Sequence, residues 1–219
     1  MTDNIQNKKS GREIILTSTE LIVLLLLPLP FLKLNVLYVI FALVIMLLSK
    51  YFRKENWSQY GFKAVQQKQL FIAVAIGIIF GFVDNFLVEP MITKLLGAEP
   101  DLSSYDGIKG NIAGLIGMLA LGWFVGGLFE EFFFRGYLFN RINSLFANPV
   151  FQKSISILVV SVVFAFAHNY QGIGGIIGTF WFSVVMSFLY FYFGQNVWYL
   201  ILIHGLYDMV GIFRLFLGA

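Results

Sequence analysis

The sequence predicts an all-α, polytopic transmembrane helix bundle of seven or eight spans, on three observations. Apolar residues make up 58% of the chain and charged residues 12%, where soluble domains carry about 25% charged, and the mean hydropathy is +0.80. The apolar residues fall in runs close to the roughly 20 residues that cross a bilayer. Short polar segments between the runs hold nearly all the lysines and arginines, as expected of loops that set topology.

The first span is read over 14–32. Basic residues precede it, as in a signal peptide. No small-x-small cleavage site follows, and Pro28 and Pro30 lead directly into further apolar sequence, so the span is taken as retained. A second span covers 34–48 and a third 70–87. Between them KYFRKENWSQYGFKAVQQKQ mixes aromatics with charges and is assigned to the membrane interface. Asp84, beside Asn85 near the end of the third span, is assigned there too. The segment 89–110 contains proline, glycine and acids and reads as a loop with room for one short helix. From 112 to 146 the chain is apolar except around Glu130 and Arg135. One helix of that length would run roughly 50 Å against a bilayer core of about 30 Å. It must tilt, break near Gly126 and Gly127, or emerge, and a break makes the eighth span. Three further spans follow over 154–168, 173–193 and 197–217.

Charge favours seven. With the N-terminus inside, the inner segments hold Lys8, Lys9, Arg12, Lys50, Arg53, Lys54, Lys63, Lys68, Arg141 and Lys153, and the outer ones Lys33, Lys94, Lys109 and Arg214. This is the positive-inside pattern with a cytoplasmic N-terminus. Residues 1–111 form the N-terminal helices and loops, and 112–219 a second helix bundle, in one continuous membrane domain. Pairs of glycines four apart (Gly110 and Gly114, Gly122 and Gly126, Gly174 and Gly178) suit close helix packing. The net charge of +3 is small and unclustered, which gives no nucleic-acid footprint. The absence of cysteine excludes a disulfide framework, a thiol nucleophile and a cysteine zinc site. The expected partners are the lipid bilayer and a membrane-associated protein or peptide; oligomeric state is not encoded legibly.

Ionisable residues inside hydrocarbon cost roughly 2.5–3.5 kcal/mol each on insertion scales, and membrane proteins that keep them generally use them. The only two histidines, His168 and His204, lie in apolar runs, as do Glu130, Glu131 and Arg135. Glu130 and Glu131 stand about 100° apart on a helix and cannot share a face. Glu131 and Arg135 are spaced i,i+4 and can pair, a supporting ion pair that leaves Glu130 without a local partner and therefore the candidate proton acceptor. Phe164 and His168 share a face, as do His204 and Asp208, where the carboxylate can orient the imidazole or both can face one ligand. Counted at 1.5 Å per residue from the ends of their runs, Glu130 and His168 lie roughly 22–24 Å deep and His204 and Asp208 about 10–17 Å.

Two hydrolytic chemistries suit this set. Glu130, His168 and His204 can hold zinc with a position left for water. Alternatively Glu130 and His168 activate water directly, with His204 and Asp208 supporting the oxyanion and Asp208 protonated or confined to orienting His204. The helical zinc signature H-E-x-x-H and the G-x-S-x-G elbow are both absent.

E-E-x-x-x-R (Glu130, Glu131, Arg135), then F-x-x-x-H (Phe164, His168), then H-x-x-x-D (His204, Asp208), in this order and with EEFFFRGYLFNRI around the first, resembles the CAAX protease and bacteriocin-processing family. That family, also called Abi, includes the type II CAAX prenyl endopeptidases. The resemblance covers about 112–215. It implies an intramembrane endopeptidase, in a bacterial cell membrane, in which Glu130 acts with His168 on the attacking water. His204 and Asp208 would support the oxyanion or a metal. Members are often named metalloproteases, and a metal-independent mechanism is also argued for them. Asp208 stands where asparagine is common, which removes a simple amide donor. Two other readings compete: a non-enzymatic immunity or scaffold protein that binds a bacteriocin or membrane partner, and a proton-coupled transporter, against which the lack of repeat symmetry counts.

Overall fold

The computed structural model describes residues 11–26 and 35–218. Pro28, Pro30, Lys33, Lys8 and Lys9 lie outside the described residues, as does the junction expected between the first two spans. Among the described residues there is no strand, and seven helices account for most of the chain: α1 (Gly11–Leu26), α2 (Asn35–Arg53), α3 (Gln67–Leu96), α4 (Ile112–Asn143), α5 (Pro149–Ala167), α6 (Gly172–Tyr192) and α7 (Val197–Leu217). Helices α3 to α7 are each long and apolar enough to cross a membrane. Their outer surfaces carry exposed Phe71, Ile79, Leu87, Ile116, Phe124 and Phe188, an apolar skin that only lipid or a partner protein would tolerate.

Local sequence sets the ends of these helices. Asn111, Asn148 and Asn196 cap α4, α5 and α7 by accepting backbone N–H groups of the first turn, with Pro149 at the start of α5. Gly97 and Gly218 close α3 and α7 in the left-handed conformation, at φ +64° and +70°.

Helix α4 does not break at Gly126 and Gly127. It runs unbroken from Ile112 to Asn143, so this stretch supplies one span rather than two. The glycines serve contact instead. A Cβ at Gly122 would meet Asp208, and one at Gly127 would sit 3.0 Å from the Ile201 carbonyl. On the other side of the seam Gly205 lies against Trp123, so α4 and α7 approach as small-residue helix pairs do. The other glycine pairs behave differently: Gly110 sits in a loop, Gly174 faces the backbone of residues 98–100, and Gly178 faces open space.

The short helix expected within 89–110 forms over Glu89–Leu96 and continues α3 without a break. Both α3 and α4 contain a widened, π-helical stretch with i→i+5 hydrogen bonds, Asp84–Val88 in α3 and Gly122–Leu138 in α4. Such stretches are rare and concentrate at functional sites. Asp84 and Asn85 are buried within the protein: only 6% and 8% of their surface is exposed. Trp181 Nε1 and the Tyr207 hydroxyl both donate to Asp84, and Asn85 donates to the Gly81 carbonyl. These partners offset the desolvation of the buried polar groups.

Helix α7 is the central element, packed along α3 and along the π-helical part of α4, while α5 and α6 pair beside it. At the end of the bundle near residue 60 a second polar cluster ties the early helices down. Arg141 donates through both terminal nitrogens to Glu55, at 2.7 and 2.6 Å, and lies 3.4 Å from Glu20, which also pairs with Arg53. Tyr60 donates to Glu55 and Tyr137 to Glu20. Burial pushes the Glu55 carboxyl up, but the Arg141 and Tyr60 hydrogen bonds and the charges of Arg141 and Arg53 outweigh it and hold Glu55 below its ordinary range. The segment expected at the interface is thus partly drawn in: Tyr60 is buried, while Trp57 is half exposed.

Candidate active site

The widened part of α4 places Glu130 and Glu131 in different surroundings. Glu131 is fully buried and accepts two donors on one oxygen: Arg135 Nη1 at 2.9 Å and His204 Nδ1 at 2.7 Å. The first is the i,i+4 pair expected from spacing. The second crosses from α4 to α7 and has no signature in the sequence. Arg135, itself fully buried, donates further to the carbonyl and hydroxyl of Ser183 on α6, at 3.0 and 2.9 Å, and lies over the Phe164 ring. One chain of charge-assisted hydrogen bonds therefore joins α6, α4 and α7 and ends on His204.

Glu130 has no such partner. No hydrogen bond or ion pair reaches its carboxylate among the described residues, and it lines a cavity of about 560 Å³. His168, His204, Asp208, Phe164 and Gly126 line the same cavity, so the four residues expected to act on substrate share one space, and Phe164 forms part of its wall. Most of the remaining wall is apolar, including Val39, Met118, Leu121, Phe182 and Ile212.

Each histidine is held by one ring nitrogen. His168 lies 2.9 Å through Nδ1 from the Phe164 carbonyl, and its ring stacks on Phe164 at 4.7 Å between centroids. A carbonyl only accepts, so Nδ1 carries the proton and the neutral ring keeps a lone pair on Nε2. His204 spends Nδ1 on Glu131, which leaves Nε2, 3.6 Å from Asp208 Oδ1. At that separation the His204 and Asp208 pair is a charge contact rather than a hydrogen bond. Glu131 holds the ring instead. Asp208 in turn is seated by the missing side chain of Gly126, where a Cβ would collide with Asp208 Oδ2 and come within 3.4 Å of His204 Nε2.

These observations bear on zinc. Glu130, His168 and His204, the set the sequence offers for it, do not group as ligands: among the described residues no three His, Asp or Glu side chains converge as a metal ion would need. Two of the four imidazole nitrogens are also committed to Phe164 and Glu131.

The stretch that carries all of these positions matches one protein family, described as type II CAAX prenyl endopeptidase Rce1-like, over residues 112–210. Over these residues the chain is similar to the Rce1-like family. The Rce1-like segment contains Glu130, Glu131, Arg135, Phe164, His168, His204 and Asp208, so each residue singled out by motif lies inside the matched region. Rce1-like proteins are a protease family, and the chain around this Rce1-like segment is a multi-pass membrane protein. The comparisons with curated proteins and with solved structures returned no match. The cavity also draws on residues before the Rce1-like segment: Tyr38 and Val39 of α2 and Asn85 of α3 form part of its wall.

Proposed function

We propose that this protein is an intramembrane endopeptidase that hydrolyses peptide bonds of membrane-associated proteins or peptides with a water activated by Glu130 and His168. The observation that carries this reading is the contrast between the two adjacent glutamates. Glu131 is used up by Arg135 and His204, whereas Glu130 faces the cavity with nothing bonded to it. An unpartnered carboxylate in a water-accessible space is positioned to take a proton.

In this mechanism water sits between Glu130 and His168 Nε2. Glu130 removes one proton as the water oxygen attacks the carbonyl carbon of the scissile bond. His204, fixed through Nδ1 to Glu131, presents Nε2–H as an imidazolium to the carbonyl oxygen as negative charge grows there. Glu130 then returns its proton to the departing nitrogen, the C–N bond breaks, and a carboxylic acid and an amine leave, the acid then passing its proton to the amine. Asp208, 3.6 Å from the same Nε2 of His204, is protonated or confined to positioning the ring, since an ionised carboxylate would repel the oxyanion. The apolar wall of the cavity suits a substrate that arrives from the bilayer.

The test is cleavage of a lipid-anchored peptide by reconstituted protein in ¹⁸O water. A single ¹⁸O in the new carboxylate, with no covalent protein adduct, is the result expected. An adduct or no cleavage of any membrane-anchored peptide would refute the reading.

A further inference from the structure

A smaller chamber of about 80 Å³ lies beside the catalytic cavity and differs from it in chemistry. Asp84, Glu89, Thr93, Gln171, Thr179 and Tyr207 supply polar groups to its wall. It is partly open, has room for several waters and presents polar groups that can hold them. Gly174, Gly175 and Gly178 of α6 line it; a Cβ at Gly174 or Gly175 would collide with the backbone of residues 98–100 or with Gln171, whereas one at Gly178 would meet nothing within 4 Å.

The chamber shares walls with the catalytic cavity. Glu89, Leu102, Gln171, Thr179 and Tyr207 border both. Gln171 ends the short turn Asn169–Gln171 that follows His168, and its N–H donates to the His168 carbonyl at 3.0 Å. The junction between the two spaces is therefore built on the same turn as the catalytic imidazole. Asp84 steadies this junction by accepting from Tyr207 on α7 and Trp181 on α6.

A hydrolase that takes an apolar substrate into an apolar cavity displaces water from it, yet consumes one water per turnover. The nucleophile needs a route that the substrate does not block. We propose that the polar chamber bounded by Asp84, Glu89, Gln171, Thr179 and Tyr207 stores the hydrolytic water and delivers it to Glu130 and His168 while substrate fills the main cavity. The inference rests on the hydrolase reading above and adds the source of its second substrate.

Filling the chamber tests it. Gly178→Leu places a side chain in the open space, Gly178→Ala places a smaller one, and Thr179→Val keeps the shape while removing a hydroxyl. Hydroxyl-radical footprinting by brief X-ray exposure labels side chains that touch trapped water, and Ile92 and Pro100, which border the chamber and not the catalytic cavity, are the reporters. Turnover should fall about tenfold in Gly178→Leu and less in Gly178→Ala, with KM unchanged. Labelling of Ile92 and Pro100 should fall in the same order. Wild-type turnover in Gly178→Leu, or slow turnover with undiminished Ile92 and Pro100 labelling, would overturn the proposal. If Gly178→Leu does not fold, Gly178→Ala and Thr179→Val carry the same comparison. Footprinting reads the water whether or not a peptide is cut, so a dry chamber and a failed hydrolase reading give different results.

Discussion

One oxygen of Glu131 receives both Arg135, at 2.9 Å, and His204 Nδ1, at 2.7 Å, in a site with no exposed surface. This double acceptance makes a pair that looks structural in the sequence into the support of the His204 imidazole, to which the proposed mechanism gives the oxyanion. The other oxygen, Glu131 Oε2, has no hydrogen-bond partner, so the carboxylate has no second anchor.

Glu131→Gln leaves Arg135 as an uncompensated buried cation, a loss on the order of 3–5 kcal/mol. It also offers His204 a weaker, neutral acceptor. The variant is expected to unfold at lower temperature in detergent and to lose turnover even at temperatures where it stays folded. Thermal unfolding and cleavage rate, measured together, check this.

Gly126→Ala puts a methyl where Asp208 Oδ2 sits and next to His204 Nε2. Overpacking of this kind costs about 1–3 kcal/mol. Asp208 must turn away from the imidazole, so the expected signature is a fall in kcat larger than any change in KM. Equal kcat in the two proteins would show that Asp208 does not need its seat against Gly126.

Chelation should not abolish the proposed cleavage. The histidine nitrogens Nδ1 are bonded to Phe164 and Glu131, and no three candidate ligands converge among the described residues. Dialysis against a strong chelator, followed by metal analysis and assay, is expected to leave activity intact. Activity lost on chelation and restored by zinc would return the metal to the mechanism.

Acid stability depends on the far end of the bundle. The Glu55 carboxyl is held below its ordinary 4.5 in the folded protein. Its contribution is therefore full above that ordinary value and is lost as pH falls through the lower, folded one. Wild-type unfolding temperature should drop in this acid window. Glu55→Gln should be less stable near neutrality and show a flatter acid limb.

Much of this site is legible in the chain because its pairs are local. Glu131 with Arg135, Phe164 with His168, and His204 with Asp208 are each four residues apart, and helical geometry brings each pair to one face. Contacts between helices are not legible in that way. Glu131 and His204 are 73 positions apart, and no pattern in either run names the other. Asp84 shows the limit of hydropathy: a carboxylate near the end of an apolar run reads as a boundary, whereas Trp181 and Tyr207 make it a buried acceptor. The length of α4 is similar. Glycines in a long apolar run allow a break as one of several outcomes, and their role in close contact with α7 is visible only in the fold.

The central claim is that Glu130, and not its neighbour, takes the proton from water. Replacing it removes no hydrogen bond, so Glu130→Gln should keep the wild-type unfolding temperature within a few degrees while cleavage in proteoliposomes falls by about 10²–10⁴-fold. A folded Glu130→Gln protein that cleaves at the wild-type rate would contradict the account.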